Sequence, residues 1–263
     1  LTARWLTEAR VVGALGRRSV RQTFRRPQLM APIIIFPTLL LAVQTGGIGN
    51  VAGHVNGFPD VPFLDFMLAG AMIQSTLLAG NSGGIALAVD IEMGFTDRLL
   101  AAPISRFSLV LGRLAGTAAL GVVSALWFIA IGLIFGAHIA QGVPGALLVI
   151  AFVSLTAMAF GGIGAAIALR TGSASVVQGL FPLVFVVLFL SSAFFPAYLI
   201  LEPAGSIAEY NPLSFIAEGV RDPIIATVSS HVFWKALGAV ALFGALGIVM
   251  SALAMRRRLR VGG

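Results

Sequence analysis

The sequence predicts an all-α membrane protein. It has six transmembrane helices, an N-terminal amphipathic interface helix, and an outer re-entrant hairpin between helices 5 and 6. Three observations carry this reading. Hydrophobic residues make up 58% of the 263 residues and charged residues only 10%, with a mean hydropathy of +1.00, which no soluble domain of this length carries. Apolar runs long enough for a bilayer, ~20 residues each, recur six times, over residues 28–48, 63–89, 107–135, 145–169, 176–196 and 232–254. The basic residues cluster in alternate connections between those runs. With loops this short nothing remains for a soluble domain, so 1–263 reads as one transmembrane domain.

Residues 1–26 have helical periodicity, with Trp5, Ala9, Val12, Val20 and Phe24 on one side and Arg10, Arg17, Arg21 and Arg25 on the other. Such a helix lies in the interface plane with its arginines toward anionic headgroups. Pro27 ends it. The first run contains Pro32 and Pro37, which lipid-embedded helices tolerate when neighbours re-satisfy the freed carbonyls. Residues 46–62, rich in Gly, Asn and Pro, read as a loop. The second run carries Gln74, Ser75, Thr76, Asn81 and Ser82, and Gln74 and Asn81, seven apart, share a face. Amides there either bond between helices or line a substrate path. Gly112, Gly116 and Gly121 in the third run, and Gly161, Gly162 and Gly164 in the fourth, read as close-packing positions.

The fifth run closes on Phe194-Phe195-Pro196, and Phe185 and Phe189 share one of its faces. These four phenylalanines are candidates for an apolar path, or ordinary lipid-facing and packing residues. Residues 197–231 are too charged to span and too apolar to be a free linker. Tyr198, Leu199, Ile200, Ile207, Leu213, Phe215 and Ile216 suggest short helices dipping part-way into the membrane.

Charge sets the orientation. Seven arginines precede the first run, and Arg98, Arg106, Arg113, Arg170, Arg256, Arg257, Arg258 and Arg260 lie on the same side, which holds fifteen of the seventeen Lys and Arg. The positive-inside rule then puts both termini in the cytoplasm. The same asymmetry explains the net charge of +7 without nucleic acid, because the arginines flank spans instead of forming one patch. Arg outnumbers Lys sixteen to one, a bias that suggests a GC-rich bacterial source and hence the cytoplasmic membrane of a bacterium. The first apolar run is too long, and begins too late, for a cleavable signal peptide.

The most informative segment is 90–106, the charged island between the second and third runs. It offers Glu92, Gly94, Arg98-Leu99-Leu100, Pro103, Ser105-Arg106, then Gly112-Arg113 as the next helix begins. This resembles the cytoplasmic coupling segment of the ABC-2 family of ABC-exporter membrane subunits, in particular the branch with daunorubicin-resistance-type permeases. The stretch from Phe195 through Pro196, Asn211-Pro212-Leu213 and on to Arg221 resembles that family's outer hairpin, which forms its extracellular gate. Phe95-Thr96-Asp97 departs from many relatives, which have Thr beside the Gly.

The resemblance implies a subunit moved by a separate ATPase. Glu92, Arg98 and Arg106 would contact it, with Gly94 and Pro103 shaping the turn. It implies two nucleotide-binding subunits carrying ATP and Mg, a second membrane subunit, identical or paralogous, and export of an amphipathic or hydrophobic drug, antibiotic or secondary metabolite. Lipid or lipid-linked glycan is the runner-up cargo. The chain itself is expected to bind no cofactor: it has no Gly-rich phosphate loop ending in Gly-Lys-Ser/Thr, and its one lysine is Lys235.

Other classes fare worse. There is no cysteine, and the three histidines (His54, His138, His231) fall at outer loops or a span edge, so neither thiolate chemistry nor a metal cluster is expected. Gly80-Asn81-Ser82-Gly83 matches the Gly-x-Ser-Gly of rhomboid-type proteases, but Ser82 lies far from every histidine that could act as its base. A channel would favour a charged ring or carbonyl filter, and no run contains a clear one.

Overall fold

A computed structural model describes residues 2–25, 27–52, 57–94 and 106–261. Among them every element is helical. In chain order these are α1 (Thr2–Phe24), α2 (Pro27–Ala52), α3 (Phe63–Glu92), α4 (Arg106–Ile134), α5 (Gly142–Thr171), α6 (Ala174–Gly179) and α7 (Phe181–Phe189). A 3₁₀ turn (Ala197–Leu199), α8 (Ala204–Tyr210), α9 (Pro212–Ile225) and α10 (Ser230–Val261) follow.

Among the described residues five helices are long and apolar enough to cross a membrane: Pro27–Gly47, Phe63–Glu92, Val110–Ile134, Gly142–Thr171 and Ser230–Arg256. The expected sixth, over 176–196, is not one continuous helix. Pro182 has no N–H to give the preceding turn and its ring crowds the carbonyl four residues back, so α6 stops at Gly179 and α7 starts at Phe181. A second difference lies in α2, which runs through Gly46, Gly47 and Gly49 to Ala52 where a loop is expected.

Helix α3 is the axis of the bundle. Its apolar stretch is 94% buried, against 17–44% for the other four long helices, so protein and not lipid surrounds it. It packs on α2, α4, α5, α6 and α9. Close approach to α5 depends on glycine. A Cβ at Gly84 would lie 2.8 Å from the Gly164 backbone, and one at Gly80 would lie 2.6 Å from Phe160 Cβ. On the other side of α5, a Cβ at Gly247 of α10 would fall 2.9 Å from Gly162. The glycines of the fourth run therefore face two helices at once, as small-residue crossings do.

Helix α1 crosses α4 where Gly112 and Gly116 leave room: a Cβ at Gly16 would sit 3.2 Å from Ala115 Cβ, and one at Gly112 would sit 2.5 Å from Leu15 Cβ. Arg10, Arg17, Arg21 and Arg25 are exposed on the side away from this crossing. Of the expected apolar face, Val12 is half-buried, but Phe24 remains 49% exposed. The packed stripe is Leu15-Gly16-Ser19, about a quarter-turn round. Small side chains win that place because they let two backbones touch.

Candidate functional site: polar clusters along the central helix

The two ends of α3 carry different chemistry. At its arginine-rich end, Asp90 is 1% exposed and accepts from Arg113 Nη2 of α4 at 2.6 Å and from Gln22 Nε2 of α1 at 3.2 Å. Arg18 of α1 stands at 4.0 Å, and Ser19 Oγ donates to the Arg113 carbonyl at 3.0 Å. One buried carboxylate thus joins three helices. The cavity beside it, lined by Ser19, Gln22, Ser82, Arg113 and Thr117, is about 30 Å³. That is room for one or two waters, far below the ~300 Å³ of a small-molecule site.

Two residues on, α3 ends at Met93 and Gly94, whose φ of 68° is the left-handed turn that glycine adopts readily. Glu92 is exposed, yet its Oε1 accepts from the Ala174 N–H at 2.8 Å, the first residue of α6. A carboxylate at a helix N-terminus meets both a free donor and the positive end of the helix. Glu92 therefore ties α3 to the broken helix. Arg98 and Pro103 lie outside the described residues, and of Arg106 only the backbone is described, as the first residue of α4.

At the far end, the carbonyls released where α7 stops are collected by Asn211, which precedes α9, and by Arg221 within it. Asn211 donates from Nδ2 to Val187 and Leu190 carbonyls, both at 2.8 Å, while its Oδ1 caps α9 through the Leu213 N–H at 2.9 Å. Pro212 at the start of α9 needs no partner for an N–H it lacks. Arg221, 5% exposed, donates from Nη2 to Ser192 and Ala193 carbonyls at 3.0 and 2.7 Å, and from Nε to the Phe66 carbonyl of α3 at 3.4 Å. Its guanidinium also lies 3.7 Å from the Phe66 ring centroid. Burial lowers its pKa to about 10, against the pull of Glu218 and Asp222, so it stays charged at neutral pH. Ser214 adds bonds to the Ser192 N–H and the Ala208 carbonyl, and Ser192 Oγ donates to Glu218. Pro196 is buried at the exit of this turn, before the 3₁₀ turn.

Between the ends, Gln74 is fully buried and Asn81 half-buried. Phe185, Phe189 and Phe194 form a line of ring contacts at 6.1 and 5.6 Å, continued to Phe36 of α2 at 5.9 Å. Phe195 turns away and is 40% exposed. Ser82 Oγ donates to the Leu29 carbonyl of α2 at 3.3 Å, a packing bond between helices. No group of three His, Cys, Asp or Glu suited to a metal occurs among the described residues.

Sequence reasoning picked out Glu92, Asn211 and Arg221 but not Asp90, Gln22, Ser192 or Ser214. Asp90 had a legible signal: it is the first acid after the apolar run 63–89, and Arg113 stands about two turns into the next run. Ser192 and Ser214 had none, since serines at span ends are common.

The sequence profile of the ABC-2 type transporter family matches residues 10–225. The chain is also similar to "Putative transport permease ycf38" of Porphyra purpurea, 28% identical over 213 residues, covering 80% of this chain and 72% of that one. The protein of the same description from Pyropia yezoensis is 26% identical over 216 residues, with the same coverage.

Proposed function

The chain belongs to the ABC-2 type transporter family, and as a multi-pass membrane permease it works with an ATPase subunit; we propose that it is one half of the export pathway of that assembly. In this reading the arginine-rich end faces the cytoplasm of a bacterium, with both termini there. Two permease subunits, identical or paralogous, meet two nucleotide-binding subunits that carry the ATP and Mg. The cargo is an amphipathic or hydrophobic compound passed outward between the permease halves, and this chain performs no hydrolysis itself.

The observation that carries the reading is the wiring at the end of α3. Asp90 holds α1 and α4, and Glu92, two residues away, holds the start of α6. A rigid push on the segment after Glu92 would therefore reach the interface helix, two long helices and the broken one together. Packed elements pass such motion as whole bodies. The coupling residues in this account are Glu92, Gly94, Arg98, Pro103 and Arg106. Since Glu92 is engaged within the chain, Arg98 and Arg106 are the contacts to the ATPase that can be tested cleanly. At the far end Pro196, Asn211, Pro212 and Arg221 hold the hairpin as an outer gate.

The test is co-purification from the native membrane after gentle extraction. A P-loop ATPase should be retained by the unaltered chain and lost when Arg98→Ala and Arg106→Ala are combined, with the elution profile unchanged. Retention by the double variant would place docking elsewhere. If no ATPase accompanies the unaltered chain in any mild detergent, the exporter reading fails.

A further inference from the structure

Gln74 has no structural employment. Its side chain is 0% exposed, yet neither Nε2 nor Oε1 has a hydrogen-bond partner among the described residues. Its neighbours do: Ser75 and Thr76 bond to the Met72 and Ile73 carbonyls at 2.7 Å, and Ser75 also meets Ser124. An unpaired buried amide is costly, and native proteins keep few of them.

Its place on α3 says what covers it. Residues 70, 74 and 78 form one row, four apart on the helix surface. At Gly70 a Cβ would lie 2.6 Å from the Ala193 carbonyl and 2.8 Å from the Phe194 ring. Leu78 packs in a cluster with Ile33 of α2 and Phe185 of α7. Gln74, between them, is set behind the aromatic line of Phe185, Phe189 and Phe194. Those rings ride on α7 and the turn after it, an element set off from α6 at Leu180 and fastened at its far end by Asn211 and Arg221.

The surroundings limit what could meet it. Between Asp65 and Asp90 α3 has no charged residue, and neither has the stretch from 174 to 201. An ion there would find no counter-charge in a medium where that is expensive. A glutamine amide offers two donors and an acceptor.

We propose that Gln74 is the polar recognition group of the transport path, uncovered when α7 swings off α3, and that it takes an uncharged amphiphile. The cargo's apolar body would lie on the phenylalanines, and its polar group would offer both a donor and an acceptor, as a carboxamide does. This rests on the exporter reading above.

The chain has no cysteine, so Leu78→Cys places a unique reporter thiol one turn from Gln74. The complex with its ATPase, in proteoliposomes, is treated with N-ethylmaleimide at rest and during ATP turnover, with decanamide or decylammonium present. Labelling should be slow at rest and several-fold faster under turnover. Decanamide should slow it and decylammonium should not. Adding Gln74→Leu should cost about tenfold in the decanamide concentration needed, the value of one hydrogen-bonded pair, while turnover-dependent labelling persists. The same substitution in the unaltered background should raise the melting temperature, because an orphaned amide is gone. A fall in melting temperature would mean that Gln74 is a paired structural group. Labelling indifferent to turnover, equal protection by decylammonium, or decanamide protecting Gln74→Leu at an unchanged concentration would each overturn the proposal. Absence of any ATPase or ATP hydrolysis in the purified complex would instead sink the exporter reading, and this proposal with it.

Discussion

Replacing Arg221 by Met should loosen the far end of the molecule by an amount that can be worked out. The substitution keeps much of the side chain's length and apolar stem but removes the donors. Ser192 and Ala193 carbonyls lose a charged partner at 3.0 and 2.7 Å, and the longer contact to Phe66 goes as well. Orphaning two buried acceptors costs ~1–3 kcal/mol each. The lost cation–π contact with Phe66 adds ~2 kcal/mol in a desolvated setting. Against this stands relief of the buried charge. Burial pulls the guanidinium's pKa down to about 10, and Met is spared that desolvation, roughly 3 kcal/mol. The net loss is ~1–5 kcal/mol, on the order of 2–20 °C in melting temperature for a chain of this size. Tryptophan fluorescence during heating of the detergent-solubilised protein reads this directly.

The pH dependence carries a sign of its own. A base whose folded pKa is depressed regains stability only as pH rises through about 10 toward its unfolded value. Between pH 6 and 8.5 Arg221 is charged in both states. The gap between the two proteins should therefore be flat across that window. A shift under 2 °C, or a gap that changes with pH below 8.5, would refute the carbonyl-clamp account.

The remaining predictions concern the other contacts. Asp90→Ala should cost ~1–3 kcal/mol by removing the buried acceptor that Arg113 and Gln22 share; combining it with Arg113→Leu should cost less than the sum of the two single changes, measured as a double-mutant cycle in melting temperature. Gly84→Leu should abolish the monodisperse peak in size-exclusion chromatography, because even a Cβ there would lie 2.8 Å from the Gly164 backbone. Asp222, whose pKa burial raises against the Ser229 N–H and Arg221, contributes stability when protonated and loses it as pH rises through its folded pKa. Asp222→Asn should hence be neutral or stabilising at pH 7.5, with its advantage shrinking as pH is lowered to 4.

The helical class, the membrane setting and five of the six long apolar runs were readable because composition and run length depend only on the solvent the chain must satisfy. Glu92, Asn211 and Arg221 stood out for the same reason, as polar residues where polar residues are expensive. The sequence could not say what they hold. That depends on which carbonyls are left free, and these appear only once Pro182 has broken the fifth run and α7 has stopped at Phe189. The crossing of α1 at Gly16 and Gly112 was not legible, because periodicity reports apolar area whereas that crossing is decided by how closely two backbones can approach. Asp90 as a three-helix junction and Gln74 as an unpaired amide are products of packing alone. Sequence dictates which groups need partners, and only the arrangement of helices decides which of them find one.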